Sequence, residues 1–324
     1  MRWPSAWMQT VISVHGERGE QWLAELDALL ESCAEQWELQ LADRSPYELT
    51  FNLVLPAQRK DGSEAVLKLG VPCRESRTEL AALQLYEGRG AVRLLASDAE
   101  RGVMLLERLR PGQLLSEVAD DAVAVRIAAE VMRKLAVPAA DAAAVGEAAG
   151  GAGFPTALQW ARGLERLCQR YDGGTGPLPE PLVRQAQLTF GQLFATGKSE
   201  PQLLLHGDLH QGNILSAVRE GEASASWLAI DPKGVIGEAA YGVIPLLMNQ
   251  LPETRAERIK LLRNRVHILS DTLCLKRERV AAYGFSHMVL SAAWCVEDGV
   301  GDFHAALETA ACFAELQREE PGLE

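Results

Sequence analysis

None of the six cysteines, Cys33, Cys73, Cys168, Cys274, Cys295 and Cys312, forms a CxxC pair with another. Their scatter supports neither a zinc site nor a disulfide framework, and fits reduced thiols in the cytoplasm. No stretch approaches the roughly eighteen uninterrupted apolar residues of a membrane-spanning helix. Met1-Arg2-Trp3-Pro4 does not open the apolar run of a signal peptide. The expectation is a cytoplasmic chain with no membrane partner. Positive charge is also scarce: 32 Lys and Arg against 44 Asp and Glu leave a net charge of −12 and a pI near 5.1. Without a basic patch to neutralise phosphates, nucleic acid is excluded as a partner. Such a surface attracts a polycation or simply keeps the protein in solution. Internal repeats at solenoid periods are absent too. What remains is 324 residues, 48% of them hydrophobic. That is more than one compact core usually organises, so two lobes are expected.

The chain's chemistry is concentrated in His206-Gly207-Asp208-Leu209-His210-Gln211-Gly212-Asn213 and, downstream, Ile230-Asp231-Pro232-Lys233-Gly234. Leu203-Leu204-Leu205 and Asn213-Ile214-Leu215 are apolar runs that hold the first segment as a loop fixed at both ends. Trp227-Leu228-Ala229-Ile230 reads as a strand with Asp231 at its exit, before the turn formers Pro232 and Gly234. Singly, Asp208, Asn213 and Asp231 would pass as turn or cap residues. Together, in this order, they match what phosphoryl transfer requires: a carboxylate to orient and deprotonate a hydroxyl, and hard oxygen donors for magnesium. Asp208 suits the first task, and Asn213 with Asp231 the second.

HGDLHQGN followed by IDPKG resembles the catalytic loop and metal-binding segment of the aminoglycoside phosphotransferase family, relatives of the protein kinases. A protein kinase would carry Arg at the position of Gly207 and Phe-Gly after the metal Asp, so the resemblance points to a small-molecule kinase. Gly90-Ala91-Val92-Arg93-Leu94-Leu95, Leu105-Leu106-Glu107-Arg108-Leu109, Asp231-Pro232-Lys233 and Ala292-Ala293-Trp294-Cys295-Val296-Glu297-Asp298 are similar to the streptomycin 6-kinase and hydroxyurea phosphotransferase branch. The resemblance covers roughly residues 40 to 300. It implies an α+β, two-lobed protein-kinase-like fold. Residues 1–109 would form a small β-rich nucleotide-binding lobe, and 110–324 a larger, mainly α-helical catalytic and substrate lobe.

In the first lobe an amphipathic helix is expected over 18–41, with strands at Tyr47 to Leu55 and Glu64 to Leu69 joined by the turn Arg59-Lys60-Asp61-Gly62. Lys68, flanked by apolar residues, either reaches solvent or meets an anion. It resembles the kinase strand lysine that grips the donor phosphates and pairs with a helix glutamate. Glu79, on a helix expected over Arg74 to Glu87, is the chosen partner, with Glu75 one turn earlier as the alternative. Ser45 to Phe51 stands where a kinase has its glycine-rich loop, yet holds no glycine. Ser45 or Thr50 would cover the phosphates instead, and ATP preference over GTP is left open. Val103 to Glu107 reads as the last strand and Arg108 to Gly112 as the exit to a linker, so the resemblance makes Glu107 and Leu109 adenine contacts by position.

In the second lobe helical patterns are expected at 113–135, 155–172, 180–196, 252–281, 286–298 and 303–318, with a Gly/Ala-rich loop at 146–153. Trp294, Glu297 and Asp298, with Trp160, are candidate substrate contacts, since aromatic faces beside carboxylates suit a cationic sugar. The bland alternative is a core Trp and a solvated helix end. His206 is expected to orient the loop through its backbone, and His210 to stabilise it. The expected activity is magnesium- and ATP-dependent phosphorylation of a hydroxyl on a small, cationic antibiotic of the streptomycin type. Hydroxyurea, a macrolide, another metabolite or a catalytically silent nucleotide binder are the alternatives.

Overall fold

The computed structural model describes residues 3–41, 46–47, 49–142, 153–221, 225–299 and 301–319. Ser45 and most of the expected 146–153 loop lie outside them.

The first lobe is an antiparallel sheet of β1 (Leu39–Gln40), β2 (Leu53–Arg59), β3 (Glu64–Leu69), β4 (Leu94–Asp98) and β5 (Val103–Glu107), in the order β1-β2-β3-β5-β4. Alternation along the strands sorts the side chains onto two buried faces. Leu53, Leu55, Leu67, Leu69, Val103 and Leu105 pack with Trp7, Trp22, Leu26 and Leu30 from helices Ser5–His15 and Glu17–Gln36. Met104 and Leu106 turn to the opposite face, toward Leu80, Leu83 and Tyr86 of helix Arg74–Tyr86. Lys68 is paired with Met104 across the sheet, so period two directs it to that second face. A lysine in a strand otherwise buried on both sides is thereby aimed at a helix and at the second lobe.

The second lobe carries two small antiparallel sheets. One is β10 (Ser226–Ala229), β9 (Ile214–Ala217) and β6 (Pro111–Leu114); the other is β11 (Val235–Glu238), β8 (Gln202–Leu205) and β7 (Val137–Pro138). Around them pack helices Asp121–Lys134, Glu180–Thr196, Arg255–Leu273, Arg277–Asp298 and Phe303–Glu319. One apolar cluster runs from Leu83 and Leu106 to Leu209 and Phe285, so the core is continuous across the expected 109/110 boundary. We retain that boundary as a proposed division of labour between the lobes.

Several expected elements are corrected. The strand expected from Tyr47 begins at Leu53 and continues through Pro56 to Arg59. Pro56 is tolerated because β1 covers β2 only at Gln58 and Arg59, leaving an edge beside the proline. Helix Ser5–His15, anchored by buried Trp7 and Val11, is an addition to the expected elements. The helix expected to reach residue 41 stops at Gln36, and Leu39–Gln40 is strand. Residues 113–114, expected as helix, belong to strand Pro111–Leu114; the helix starts at Asp121, where the Asp120 carboxylate accepts from the Val123 N–H at 3.1 Å. The 155–172 pattern divides into Ala157–Ala161 and Gly163–Arg170. Helix Arg255–Leu273 ends at Cys274, whose φ of +56° is left-handed, and Arg277–Asp298 then runs unbroken through 282–285.

Candidate active site

Strand pairing brings the two polar segments together. In the β9–β10 hairpin Ile214 lies opposite Ala229, and just beyond it the Ile230 N–H donates to the Asn213 carbonyl at 3.0 Å. In the β8–β11 pair Leu205 lies opposite Val235, and the N–H groups of Lys233 and Gly234 donate to the His206 carbonyl at 2.7 and 3.1 Å. The catalytic-type loop 206–213 is thus tied to the 230–234 segment at both ends by backbone groups.

His206 adds the cross-tie. Its ring sits between the Asp208 N–H, 3.3 Å from Nδ1, and the Ile230 carbonyl, 2.8 Å from Nε2. Nδ1 must accept, so the proton is on Nε2 and is donated to Ile230. Burial lowers the pKa of this imidazole to about 4, so it is neutral and its one N–H is committed to the Ile230 carbonyl. This is the orienting role expected for it. His210 Nδ1 accepts from the Gly212 N–H at 3.0 Å, which braces the loop turn as expected. Gly207 has φ +85°, a conformation that disfavours any side chain. A Cβ there would meet Val235 Cγ2 at 2.9 Å, Lys233 Cβ at 3.1 Å and the Trp160 ring at 3.3 Å.

Around this frame stand the predicted site residues. The Lys68 ammonium donates to Glu79 at 2.5 Å and to Asp231 at 3.0 Å. Its side chain is 4% exposed and that of Glu79 9%. Burial alone would lower the lysine pKa, but the two carboxylates prevail and hold it above its ordinary value. Desolvation would likewise raise the Asp231 carboxyl, yet the Lys68 ammonium keeps it below the usual carboxylate range. Glu75, the alternative partner, instead forms an ion pair with Lys233. The Asn213 amide nitrogen donates to the Asp208 carbonyl at 2.9 Å, which turns its oxygen to the other side. Asp208 itself is partly buried and desolvation raises its pKa. Asp231 and Asn213 offer the hard oxygen donors that suit magnesium. Among the described residues there is no group of three or more His, Cys, Asp or Glu placed to hold a metal ion.

Asp208 opens on a cleft of about 640 Å³ lined by Trp160, Trp294, His287, Glu75, Lys233 and Arg166, among others. Trp160 and Trp294 meet edge to face at 5.9 Å, and Trp294 packs the same way on His287 at 5.6 Å. The expected acidic contacts are not part of this lining. Glu297 sits 3.7 Å from Arg166 and its carbonyl accepts from Arg170, while Asp298 is exposed as the last residue of its helix. Both stand one turn of helix beyond Trp294, and Glu297 meets the cleft through its pairing with Arg166, which does line it. Among the described residues of the lining, the cations Arg74, Arg166 and Lys233 outnumber the carboxylates Glu75 and Asp208. The Glu107 carboxylate accepts from the Arg93 N–H and pairs with Arg219, so only its backbone is left to meet a base. Leu109 is buried beside it. Thr50 is exposed just ahead of β2. Sequence reasoning missed His287 and gave Lys233 no role; the signal for His287 was its i, i+7 spacing from Trp294 on one helix face.

A strand lysine tied to a helix glutamate, a carboxylate loop and a second carboxylate at a strand exit, set between a sheet lobe and a helical lobe, define a protein-kinase-like phosphotransferase. The sequence model of the family described as aminoglycoside/hydroxyurea antibiotic resistance kinase matches residues 37–299, and the chain belongs to that family. It is 34% identical over 304 residues to a streptomycin 6-kinase of Streptomyces glaucescens, covering 91% of this chain and 90% of the relative. A hydroxyurea phosphotransferase of Kitasatospora aureofaciens is also 34% identical, over 306 residues, with coverages of 91% and 81%. The fold is shared with a choline/ethanolamine kinase family protein of Mesorhizobium loti, with a TM-score of 0.59 at 16% identity over 90% of this chain and 95% of that one. The chain is therefore a phosphotransferase acting on a hydroxyl group, an enzyme of the antibiotic-modifying kind. Among the described residues, no helix is long and apolar enough to cross a membrane.

Proposed function

We propose that the enzyme transfers the γ-phosphoryl group of ATP to a hydroxyl of a streptomycin-like aminoglycoside. The observation that carries this reading is the convergence of Lys68, Asp231, Asn213 and Asp208 beside one cleft walled by Trp160 and Trp294. Asp208 orients the acceptor hydroxyl and takes its proton; its desolvation makes it a better base than a free aspartate. Lys68, fixed by Glu79, holds the donor phosphates. Asp231 and the Asn213 side-chain oxygen would hold magnesium, which when bound neutralises charge between the donor phosphates. Glu107 and Leu109 offer backbone groups to the adenine, and Ser45 or Thr50 covers the phosphates. In the acceptor cleft the aromatic wall gives a cationic sugar ring a face to lie on.

The cleft volume supports a drug-sized acceptor; a molecule as small as hydroxyurea would leave most of it unfilled. The excess of cations in the lining favours the second reading, a neutral acceptor such as hydroxyurea. Incubation of the purified enzyme with ATP, magnesium and each acceptor, followed by mass spectrometry, decides between them. Streptomycin gaining one phosphate, with loss of the product in Asp208→Ala, is the expected result. Phosphorylation of hydroxyurea alone would transfer the assignment to the second reading.

A further inference from the structure

Lys233 lies on the acceptor side of the site and has no role in the chemistry described so far. Its backbone N–H is fixed to His206, and its stem lies against Gly207 of the Asp208 loop. Its ammonium reaches across the cleft to Glu75, on the same helix face that carries Glu79 one turn later. Helix Arg74–Tyr86 therefore presents two carboxylates to two lysines, Glu79 to Lys68 and Glu75 to Lys233. The two pairs differ in how firmly they are made. Lys68 and Glu79 are 4% and 9% exposed, and Lys68 is shared with Asp231. Lys233 and Glu75 are 36% and 59% exposed, a solvent-accessible pair of the sort that holds weakly. An ammonium on such a pair is readily captured by a partner of higher charge, and a phosphoryl group is one.

The other cations of the cleft are placed differently. Arg166 faces Glu297, and Arg74 donates to the Gly153 carbonyl at 3.2 Å. His206 is neutral and the loop carries glycine at position 207. Among the described residues that line the cleft, Lys233 alone of the cations extends from the backbone segment that joins Asp231 to the Asp208 loop.

We infer that Lys233 is a further catalytic residue: its ammonium rests on Glu75 in the free enzyme and moves to the phosphoryl group as it passes to the acceptor. This rests on the proposed phosphotransfer reading. In that step the acceptor oxygen forms a bond to the γ-phosphorus, the bond from that phosphorus to the bridging oxygen of ADP breaks, the hydroxyl proton goes to Asp208, and ADP departs. Charge spreads over the three equatorial oxygens, and a cation aimed there is worth more in the transition state than before it.

The test is steady-state kinetics with magnesium, ATP and streptomycin, or whichever acceptor gains phosphate, on the full-length enzyme. Lys233→Met is expected to lower kcat by about 10²- to 10³-fold while leaving both KM values within about threefold, and Lys233→Arg to recover part of the loss. Glu75→Gln, which releases the ammonium, is expected to raise kcat or lower the KM for ATP by about two- to threefold. Nucleotide binding by thermal shift in Lys233→Met reports that the fold is intact. A Lys233→Met enzyme with unchanged kcat, or one that differs only in acceptor KM, overturns the assignment. A Glu75→Gln loss as deep as that of Lys233→Met would make the pair a structural clamp and overturn it equally. If Asp208→Ala retains full turnover, the phosphotransfer reading itself fails; if Asp208→Ala is inactive and Lys233→Met is not, only the inference about Lys233 fails.

Discussion

Replacing Gly207 with alanine is expected to damage stability and catalysis together. The backbone at this position has φ +85°, and holding an L-residue in the left-handed region costs about 1–2 kcal/mol. The added methyl would lie 2.9 Å from Val235 Cγ2 and 3.1 Å from Lys233 Cβ. Neither neighbour can readily yield. Val235 is fully buried in β11 opposite Leu205, and Lys233 is pinned by its N–H to the His206 carbonyl. Overpacking of this sort adds about 1–3 kcal/mol. The sum, about 2–5 kcal/mol, predicts a fall in Tm of about 4–10 °C. Any relief must come from shifting the 206–208 turn or the 233–235 strand start, and a displacement near 1 Å at Asp208 lowers kcat by about 100-fold. Thermal unfolding and steady-state turnover measure both. Gly191→Ala is the control. It sits exposed in helix Glu180–Thr196, where an added methyl would meet nothing within 4 Å, and is expected to stabilise by about 0.5–1 kcal/mol with kcat unchanged. A Gly207→Ala enzyme that melts and turns over like the wild type would refute the reasoning that the turn geometry excludes a side chain.

Other outcomes follow from the same structure. Because desolvation raises the Asp208 pKa and the base must be ionised, kcat should fall on the acid side at a pH above the ~3.9 of a free aspartate; an acid limb at or below that value in a pH–kcat profile would contradict it. His206 and His287 are buried, and desolvation brings each pKa to about 4 from 6.5. With the folded value depressed, stability is full above about pH 6.5 and is lost as pH falls toward 4, by up to about 1.4 kcal/mol per unit for each ring; a Tm unchanged between pH 7 and 5 would count against this. Glu79→Ala removes one partner of the buried Lys68 pair and should destabilise by about 3–5 kcal/mol, with the KM for ATP rising; urea unfolding and ATP titration would show either. Trp294→Ala should raise acceptor KM and leave that for ATP unchanged, because the ring lines only the acceptor side.

The sequence by itself determined the chemistry and most of the frame. That His206, Asp208 and Asn213 stand on a loop and Asp231 at a strand exit was legible because apolar runs, which form strands, bracket both segments. Lys68 was legible because a charge in a doubly buried strand needs an anion. Local patterns also yielded helices 180–196 and 303–319 nearly to the residue. Only the tertiary structure decided which residues meet across elements. Glu75 and Glu79 are equivalent by helical spacing, and the direction of Lys68 out of the sheet separates them. Glu297 and Asp298 share a helix with Trp294, yet of the three only Trp294 lines the cleft among the described residues. Cys274 ends a helix through a left-handed φ that no residue type announces. Strand pairings and lobe contacts connect residues distant in sequence, and their energy lies in burial and geometry that a local pattern does not carry.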